Sequence, residues 1–394
     1  MRIAYVYDAV YPYILGGVEK RVWEIARRLV ARGHDVHLFG MHLWDGESTI
    51  TRDGVVLHGI CRPYGLYRKG KRRILPAFLF GIMLLPALAR ERFDVVDCQQ
   101  FPYTSVFGAA AACRIARSPF VITWHEVWGE YWYEYLGSKG SAGKVLERLA
   151  ARIRAGTIAV SDTTRDGLTS LIGDREVTII PNGIDLAAID AILPAEEKSD
   201  VLFVGRLIRE KHVDVLVDAI GILRHRIPGI RCLVIGDGPE RMDLEEKVRT
   251  MNLSGNIQFT GFFKRSEDMI ARMKSSRVFV LPSTREGFGI SALEALAAGL
   301  PVVTVDHPKN ASRVFTLDGC GLLSSLDAAD LSEKIQATLS RDEVSKLLCR
   351  TMSRDYEWEA ITDMIEKYYV QVRSTSGNKR PDSLGEKGSG YHRV

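Results

Sequence analysis

Two glutamates lie eight positions apart in the stretch REGFGISALEALAAG, residues 285–299. Ser291 and Glu294 have the spacing of a capping box, in which both side chains bond the free amides at a helix start. Glu286 comes earlier, between glycine-rich turn residues and the preceding strand, where backbone amides can approach a bound anion. Capping therefore offers an explanation for Glu294, but it leaves Glu286 available for a ligand.

Two cations occupy a similar place in VGRLIREK, residues 204–211. Arg206 lies one residue beyond the predicted strand, and Lys211 lies just before a predicted helix. A guanidinium and an ammonium at such a position can hold a diphosphate, although basic side chains are often only solvated surface groups. Two cations suit phosphates and two carboxylates suit hydroxyls. A nucleotide sugar has both groups.

Glycines precede helices at two further points. Gly16 and Gly17 stand directly before a helical pattern, where they form either a phosphate site or a simple tight turn. The stretch GDGPE, which begins at Gly236, has two of the three glycines of a dinucleotide fingerprint. Since the full fingerprint is absent, a Rossmann dehydrogenase is disfavoured.

His125 follows a predicted strand and begins an aromatic segment. A single histidine at a strand end has either a structural or a functional role, and both interpretations remain open. The aromatic side chains that surround it suit core packing or a platform for sugar rings. They are Trp124, Trp128, Tyr131, Trp132, Tyr133 and Tyr135.

The elements that must position these groups form two βα series. Short apolar runs alternate with amphipathic segments such as residues 18–33, a pattern typical of parallel sheets. Predicted strands of the first series are residues 3–7, 35–39, 55–59, 94–98, 120–123, 157–160 and 177–180. Those of the second are residues 201–205, 232–236, 257–261, 278–282 and 301–305. The turn-rich residues 181–200 between the series are the predicted linker.

Length and composition are those of a globular protein with two domains, since 394 residues suffice for two cores. The six scattered cysteines are expected to be reduced thiols in a cytoplasmic protein. A strand pattern directly after Met1 leaves no room for a signal peptide, and no apolar run is long enough to span a membrane.

A basic stretch precedes an apolar one between Arg62 and Arg90, an interval without acidic residues. Its centre is RKGKRR, residues 68–73, and residues 74–89 follow as an apolar run. One interpretation is a core helix preceded by basic residues that face water, and the other is an element that binds an anionic membrane surface. Two prolines argue against one uninterrupted helix. Nucleic acid is not expected as a partner, because no recognisable nucleic-acid module is present.

The chain resembles the glycogen-synthase-like glycosyltransferases of family four, which are retaining enzymes. The resemblance extends to about residue 372 and rests on motifs in the family's order: GGVEKRVWEIARRLVARGHDV, PNGID, VGRLIREK, GDGP and REGFGISALEALAAGLPVV. It implies the α/β GT-B fold, in which two Rossmann-like domains face each other. The acceptor domain would be residues 1–185 and the donor domain residues 186–354. Residues 355–372 would form a helix that crosses back to the first domain, and residues 373–394 a disordered tail.

The same resemblance implies roles for the residues above. Arg206 and Lys211 would hold the donor diphosphate, Glu286 would contact the donor sugar, and Glu294 would bind the ribose. His125 would lie near the reacting sugar carbon, although Glu126 departs from the aspartate that is frequent after this histidine. Further residues would line the donor site from both domains. They are Gly16, Gly17, Gly236, Phe262, Gly287, Phe288, Gly289 and Ile290.

The activity so implied is transfer of a hexose from a UDP- or GDP-sugar, with retention, to a hydroxyl of a lipid-linked or polysaccharide acceptor. No Asp-x-Asp motif is present, so we expect no metal and no other cofactor. Two alternatives remain: a sugar-nucleotide epimerase of the same fold, and a catalytically silent nucleotide-sugar-binding protein. The expected location is cytoplasmic, with peripheral contact at the membrane. Composition does not identify the sugar, base or acceptor.

Overall fold

The computed structural model describes residues 1–63, 65, 67–68, 71–340 and 343–377. Its first sheet has eight strands in the order β10-β9-β8-β7-β1-β2-β4-β3, all parallel except β3. In chain order the strands of this half are β1 (Arg2–Val6), β2 (Asp35–Gly40), β3 (Thr49–Arg52), β4 (Val55–Gly59), the short hairpin β5 (Tyr67–Arg68) and β6 (Lys71–Arg72), β7 (Val95–Gln99), β8 (Phe120–Trp124), β9 (Gly156–Ala159) and β10 (Thr178–Ile179).

The second sheet has six parallel strands in the order β13-β12-β11-β14-β15-β16. They are β11 (Ser199–Val204), β12 (Cys232–Ile235), β13 (Ile257–Gly261), β14 (Ser276–Leu281), β15 (Val302–Val305) and β16 (Gly321–Ser324). Because the sequence order reverses at the middle of both sheets, each has the crevice at its carboxyl edge where open α/β sheets bind ligands.

Helices connect these strands and cover both sheets. In chain order they are α1 (Gly17–Ala31), α2 (Ile74–Ala89), α3 (Tyr103–Ala116), α4 (Tyr131–Leu136), α5 (Gly140–Ala151), α6 (Asp162–Ile172), α7 (Leu186–Ala191), α8 (Val213–Arg224), α9 (Arg241–Thr250), α10 (Ser266–Lys274), α11 (Ile290–Ala297), α12 (Ala328–Leu339), α13 (Glu343–Ser353) and α14 (Trp358–Gly377). Short 3₁₀ turns are Gly137–Lys139, Arg209–Lys211, Ala311–Gly319 and Arg354–Tyr356.

Apolar periodicity predicted most of these elements correctly. Every predicted strand overlaps an observed one, and the predicted apolar face of α1 is buried against the first sheet. Four strands were missed, among them the two-residue strands β5 and β6 of the basic segment. β3 is polar and exposed at the sheet edge, so it carries no apolar signal, and β16 is a four-residue strand that begins at a glycine.

Helix α14 returns from the second half of the chain to the first sheet. Its Trp358, Ile361 and Tyr369 are buried in the same apolar cluster as Tyr5 and other side chains of the first sheet. The Tyr369 hydroxyl donates a hydrogen bond to the buried Asp97 carboxylate at 2.6 Å. The predicted crossing helix is therefore present, whereas the predicted domain boundaries at residues 185 and 354 stay predictions.

The chain end differs in part from the expected tail. Residues 373–377 belong to α14, where the hydroxyls of Ser374 and Thr375 bond to the carbonyls of Gln371 and Val372. These bonds satisfy carbonyl groups near the end of the helix, so the polar composition does not end it at residue 372. The rest of the predicted tail, residues 378–394, lies outside the described residues.

Helix α2 contradicts the prediction that prolines interrupt residues 74–89. The helix runs through Pro76 and Pro86. Pro76 lies in the first turn, where no intrahelical amide bond is required. Pro86 lies in the last turn on the exposed side, where water can reach the Ile82 carbonyl. No helix in the described ranges is long and apolar enough to cross a membrane.

All six cysteines are buried free thiols, as predicted. Burial raises the pKa of Cys98 well above its usual value and raises that of Cys232 to about 12, so both stay protonated at neutral pH.

Candidate active site

The predicted site residues gather at the carboxyl edges of the two sheets. Gly16 and Gly17 follow β1, and His125 follows β8, both in the first sheet. Arg206 follows β11 and Glu286 follows β14 in the second sheet. The two edges face each other, because Gly17 lies against the Ile290 side chain: a Cβ on Gly17 would come within 2.8 Å of Ile290 Cδ1.

Lys211 and Glu286 form a short ion pair, and both side chains are largely buried. The loops that carry them are bonded together. The Thr284 amide donates to the Glu210 carbonyl at 3.1 Å, and His212 Nε2 lies 2.9 Å from Thr284 Oγ1. The structure thus brings a predicted cation and a predicted carboxylate together, although they are far apart in sequence.

Arg206 begins the loop that ends at Lys211 and is exposed to solvent. Its carbonyl accepts the Ile208 amide at 3.0 Å, a bond that tightens the loop. The two cations are therefore at opposite ends of one short loop at the carboxyl end of β11.

Glu294 is not a helix cap. Helix α11 begins at Ile290 after Gly289, whose φ of 89° favours glycine, and no side chain caps this end. The capping-box interpretation is wrong because Ser291 already lies inside the helix. The buried Glu294 carboxylate instead accepts a hydrogen bond from Lys20 Nζ at 2.8 Å.

Lys20 belongs to α1 of the first sheet unit, so this ion pair joins the two halves of the molecule. The nearby Glu294 carboxylate raises the pKa of Lys20, which keeps the ammonium charged. Sequence reasoning missed Lys20. Its position in the first turns after Gly16 and Gly17 was the available signal, but nothing local indicates a partner at residue 294.

The loop at residues 287–289 lies against the first half of the molecule. A Cβ on Gly287 would lie 1.9 Å from the His125 carbonyl oxygen, so only glycine fits there. The Gly287 carbonyl accepts the Ser161 hydroxyl at 2.6 Å. Phe288 is buried and packs edge-on against Phe315. The predicted glycine-rich turn is therefore a contact between the two sheet units.

His125 is held from two sides. Its Nε2 donates to Gln99 Oε1 at 2.7 Å, and its amide donates to Gln100 Oε1 at 2.9 Å. Burial, and to a lesser extent the charge of Arg21, lower the pKa of His125 to about 3. The imidazole is therefore neutral at physiological pH, which suits it to hydrogen bonding rather than to charge stabilisation.

Gly236 and Phe262 lie next to each other at the ends of β12 and β13. The Gly236 amide donates to the Gly261 carbonyl at 3.0 Å, and a Cβ on Gly236 would lie 1.8 Å from the Gly205 carbonyl oxygen. Phe262 is 62% exposed. A large aromatic face is therefore available to solvent beside the Arg206 loop.

Of the aromatic residues around His125, Trp124, Tyr131 and Trp132 are buried and Tyr133 is exposed. Trp128 and Trp132 pack with Phe101 and Tyr135 in one cluster. Core packing therefore accounts for most of this segment. Within the described part of the chain, no three His, Cys, Asp or Glu side chains are grouped so that they could hold a metal ion.

Two models of glycosyltransferase families match consecutive parts of the chain. Residues 15–188 match the model of Glycosyltransferase Family 4, and residues 187–352 match that of Glycosyl transferases group 1. The chain belongs to the glycogen-synthase-like glycosyltransferases of family four. The predicted family is thereby confirmed, and the protein is a glycosyltransferase.

Relatives and solved structures match this glycosyltransferase over most of its length. Glycogen synthase of Mycobacterium tuberculosis is 25% identical over 408 residues, covering 97% of each chain. A phosphatidylinositol N-acetylglucosaminyltransferase polypeptide from Arabidopsis thaliana is 26% identical over 400 residues, covering 98% of this chain and 85% of its own.

Two structural neighbours show the fold. Sucrose-phosphate synthase from Thermosynechococcus elongatus superimposes with a TM-score of 0.80 at 20% identity, over 95% of this chain and 99% of its own. HepE of Anabaena, solved in complex with UDP-glucose, superimposes with a TM-score of 0.72 at 18% identity, over 94% of this chain and 100% of its own. The predicted GT-B fold is confirmed.

Proposed function

We propose that this glycosyltransferase moves a hexose from a UDP- or GDP-sugar, with retention, to a hydroxyl of a lipid-linked or polysaccharide acceptor. The observation that carries the proposal is the Lys211–Glu286 ion pair, whose lysine ends the loop that Arg206 begins, at the carboxyl edge that faces Gly16 and Gly17. Cations there suit a diphosphate, and a carboxylate beside them suits sugar hydroxyls.

The proposed roles follow from these positions. Arg206 and Lys211 stabilise the charge that develops on the diphosphate as its bond to the sugar C1 breaks. Amides at Gly16 and Gly17, at the start of α1, approach the same phosphates. Glu286 orients the sugar hydroxyls, and Glu294 accepts bonds from the ribose hydroxyls. Lys20 already occupies one Glu294 oxygen, so it fixes the carboxylate in place.

Further groups complete the proposed donor site. Phe262 offers its exposed ring to the base, and Gly236 lies next to its loop. His125 stays neutral near the sugar and does not act as a general acid. We propose retention by front-face attack: the acceptor oxygen bonds to C1 on the side that the diphosphate leaves, and its proton passes to the leaving phosphate oxygen.

Among the possible donors, a UDP-hexose has the best support, because the structural neighbour HepE was solved with UDP-glucose. The acceptors of two relatives, a glycogen synthase and a phosphatidylinositol-modifying enzyme, support glycan and lipid acceptors respectively. The test is calorimetric titration with a panel of UDP- and GDP-hexoses, followed by product analysis for transfer, epimerisation or hydrolysis. Epimerised donor, or binding without turnover on any acceptor, would contradict the proposal.

We expect activity to persist in EDTA. Arg206, Lys211 and the α1 amino end supply positive charge at the proposed diphosphate position, so a divalent cation is not required to stabilise the leaving group. Initial rates with and without EDTA should agree within twofold. A rate restored only by Mg²⁺ or Mn²⁺ would contradict metal independence.

We also propose that the basic segment and α2 hold the enzyme at an anionic membrane surface. The outward face of α2 is apolar, with Ile74 72% and Phe78 51% exposed. Its inward face packs on α3, so α2 is a core helix with a second apolar face. Of the basic segment, Lys69 and Gly70 lie outside the described residues. An apolar face next to basic residues is the pattern of an interfacial helix.

Charge reversal should release the protein from anionic vesicles. Each basic residue near such a surface contributes about 1 kcal/mol, so binding should be reversible and sensitive to salt. The variant carries glutamate at Arg68, Lys69, Lys71, Arg72 and Arg73, and a control carries glutamate at the exposed Lys198, Arg226 and Arg231 of the second half. Co-sedimentation with anionic and neutral vesicles at low and high salt measures binding. If the parent protein and the charge-reversal variant are recovered equally in the supernatant under all conditions, the membrane proposal is wrong. The transferase proposal is unaffected by that result.

A further inference from the structure

Arg285 lies in the loop between β14 and α11 and contacts the first half of the molecule. It directly precedes Glu286, and its Nε lies 2.8 Å from the Glu126 Oε1. Its guanidinium also lies over the Tyr131 ring, with Cζ 3.2 Å from the ring centroid. A planar guanidinium can make both contacts at once, whereas a lysine ammonium cannot.

The residues that receive Arg285 are themselves fixed. Trp128 Nε1 donates to the second Glu126 oxygen at 3.2 Å. The amides of Trp128 and Gly129 each donate to the buried Glu147 carboxylate at 2.8 Å, which ties this turn to α5. The Glu126 carboxylate and the turn that follows it are thus held in place where Arg285 contacts them.

Tyr131 also reaches the loop that carries Lys211. Its hydroxyl lies near the side chain of Glu210, the residue before Lys211, and burial together with this carboxylate raises the pKa of Tyr131. The Glu210 carbonyl in turn accepts the Thr284 amide and the Ser283 hydroxyl, both at 3.1 Å. One side chain of α4 therefore contacts the residue before each member of the Lys211–Glu286 pair.

We propose that Glu126, Tyr131 and Arg285 form an interdomain clamp that positions the Lys211–Glu286 pair for the transfer step. The proposal rests on the proposed function and adds positioning residues to it. Arg285 contacts Glu126 and the Tyr131 ring and directly precedes Glu286, so the clamp residues act through the Lys211–Glu286 pair and not on the donor directly. A displacement of about 1 Å in such a pair costs up to about 100-fold in rate.

The clamp predicts a loss in kcat without a loss in donor binding. Glu126→Gln and Arg285→Gln should each lower kcat about 10-fold, with donor KM and the UDP dissociation constant within twofold of the parent. The double variant should be no slower than the slower single variant, because both changes break one contact. Arg285→Lys should recover part of the rate, and Tyr131→Phe should fall between Tyr131→Leu and the parent.

Arg272→Gln is the matched control. It removes the Arg272–Glu197 ion pair, 2.6 Å long, which lies wholly within the second half. Its kcat should equal that of the parent. The clamp is overturned if the donor KM rises while kcat holds, if the two single losses multiply in the double variant, or if the control loses as much as Arg285→Gln.

A second readout separates the clamp from the proposed function. If the parent chain transfers no sugar from any donor, the proposed function fails and the clamp is tested by hydrogen exchange. Amides at residues 283–287 should then exchange at least about 10-fold faster in Arg285→Gln and Glu126→Gln than in the parent or in Arg272→Gln. Equal exchange in all four proteins would overturn the clamp.

Discussion

Replacing Lys211 with alanine is expected to lower kcat by at least about 100-fold, equivalent to about 3 kcal/mol of transition-state stabilisation. Lys211 is one of two cations at the proposed diphosphate position, and its loss also leaves the largely buried Glu286 without its ion-pair partner. Arg206→Ala should show a similar loss, whereas its exposed side chain should have little effect on folding. Steady-state kinetics with the best donor of the panel measures both.

Lys198→Ala provides the control, because Lys198 is exposed and precedes β11 at the opposite end of the strand from Arg206. Its kcat should stay within twofold of the parent. Near-normal turnover in Lys211→Ala or Arg206→Ala would remove these residues from the proposed mechanism. UDP binding by each variant should be measured as well, since loss of binding alone would place the effect in the ground state.

Replacing Arg21 with methionine is expected to lower the free energy of unfolding by about 3 kcal/mol. The guanidinium is buried in α1 and donates to the Pro181 carbonyl, to Asn182 Oδ1 at 3.1 Å and to the Ile180 carbonyl at 3.0 Å. Burial lowers the pKa of Arg21 to about 10, so it remains charged at neutral pH. Methionine fills similar space but leaves three acceptors without this donor.

Arg27→Met is the matched control for Arg21. Arg27 lies on the same helix but is partly exposed, and its ion pairs with Glu24 and Asp185 are near the surface. Such pairs contribute less than about 1 kcal/mol. Equilibrium unfolding in urea measures both variants. Equal unfolding midpoints would show that Arg21 does not anchor the segment at residues 180–182.

Local sequence determined the elements and the edge at which the site lies. Apolar periodicity predicted both sheets, because buried parallel strands and amphipathic helices need continuous apolar patterns that no distant residue has to supply. The rule that ligands bind at strand carboxyl ends then selected the loops of Gly16, His125, Arg206 and Glu286. The family motifs added the GT-B arrangement, which the comparisons confirm.

Only the tertiary structure paired these groups across the chain. Lys211 with Glu286 and Lys20 with Glu294 are joined by folding, and a local pattern misassigned Glu294 as a cap. Arg285 was not among the predicted site residues. Which two side chains form an ion pair depends on the distance and orientation that packing between the sheets gives them. Local sequence does not indicate that distance. Sequence thus determined which side chains stand at each strand end, and the fold decided which of them meet.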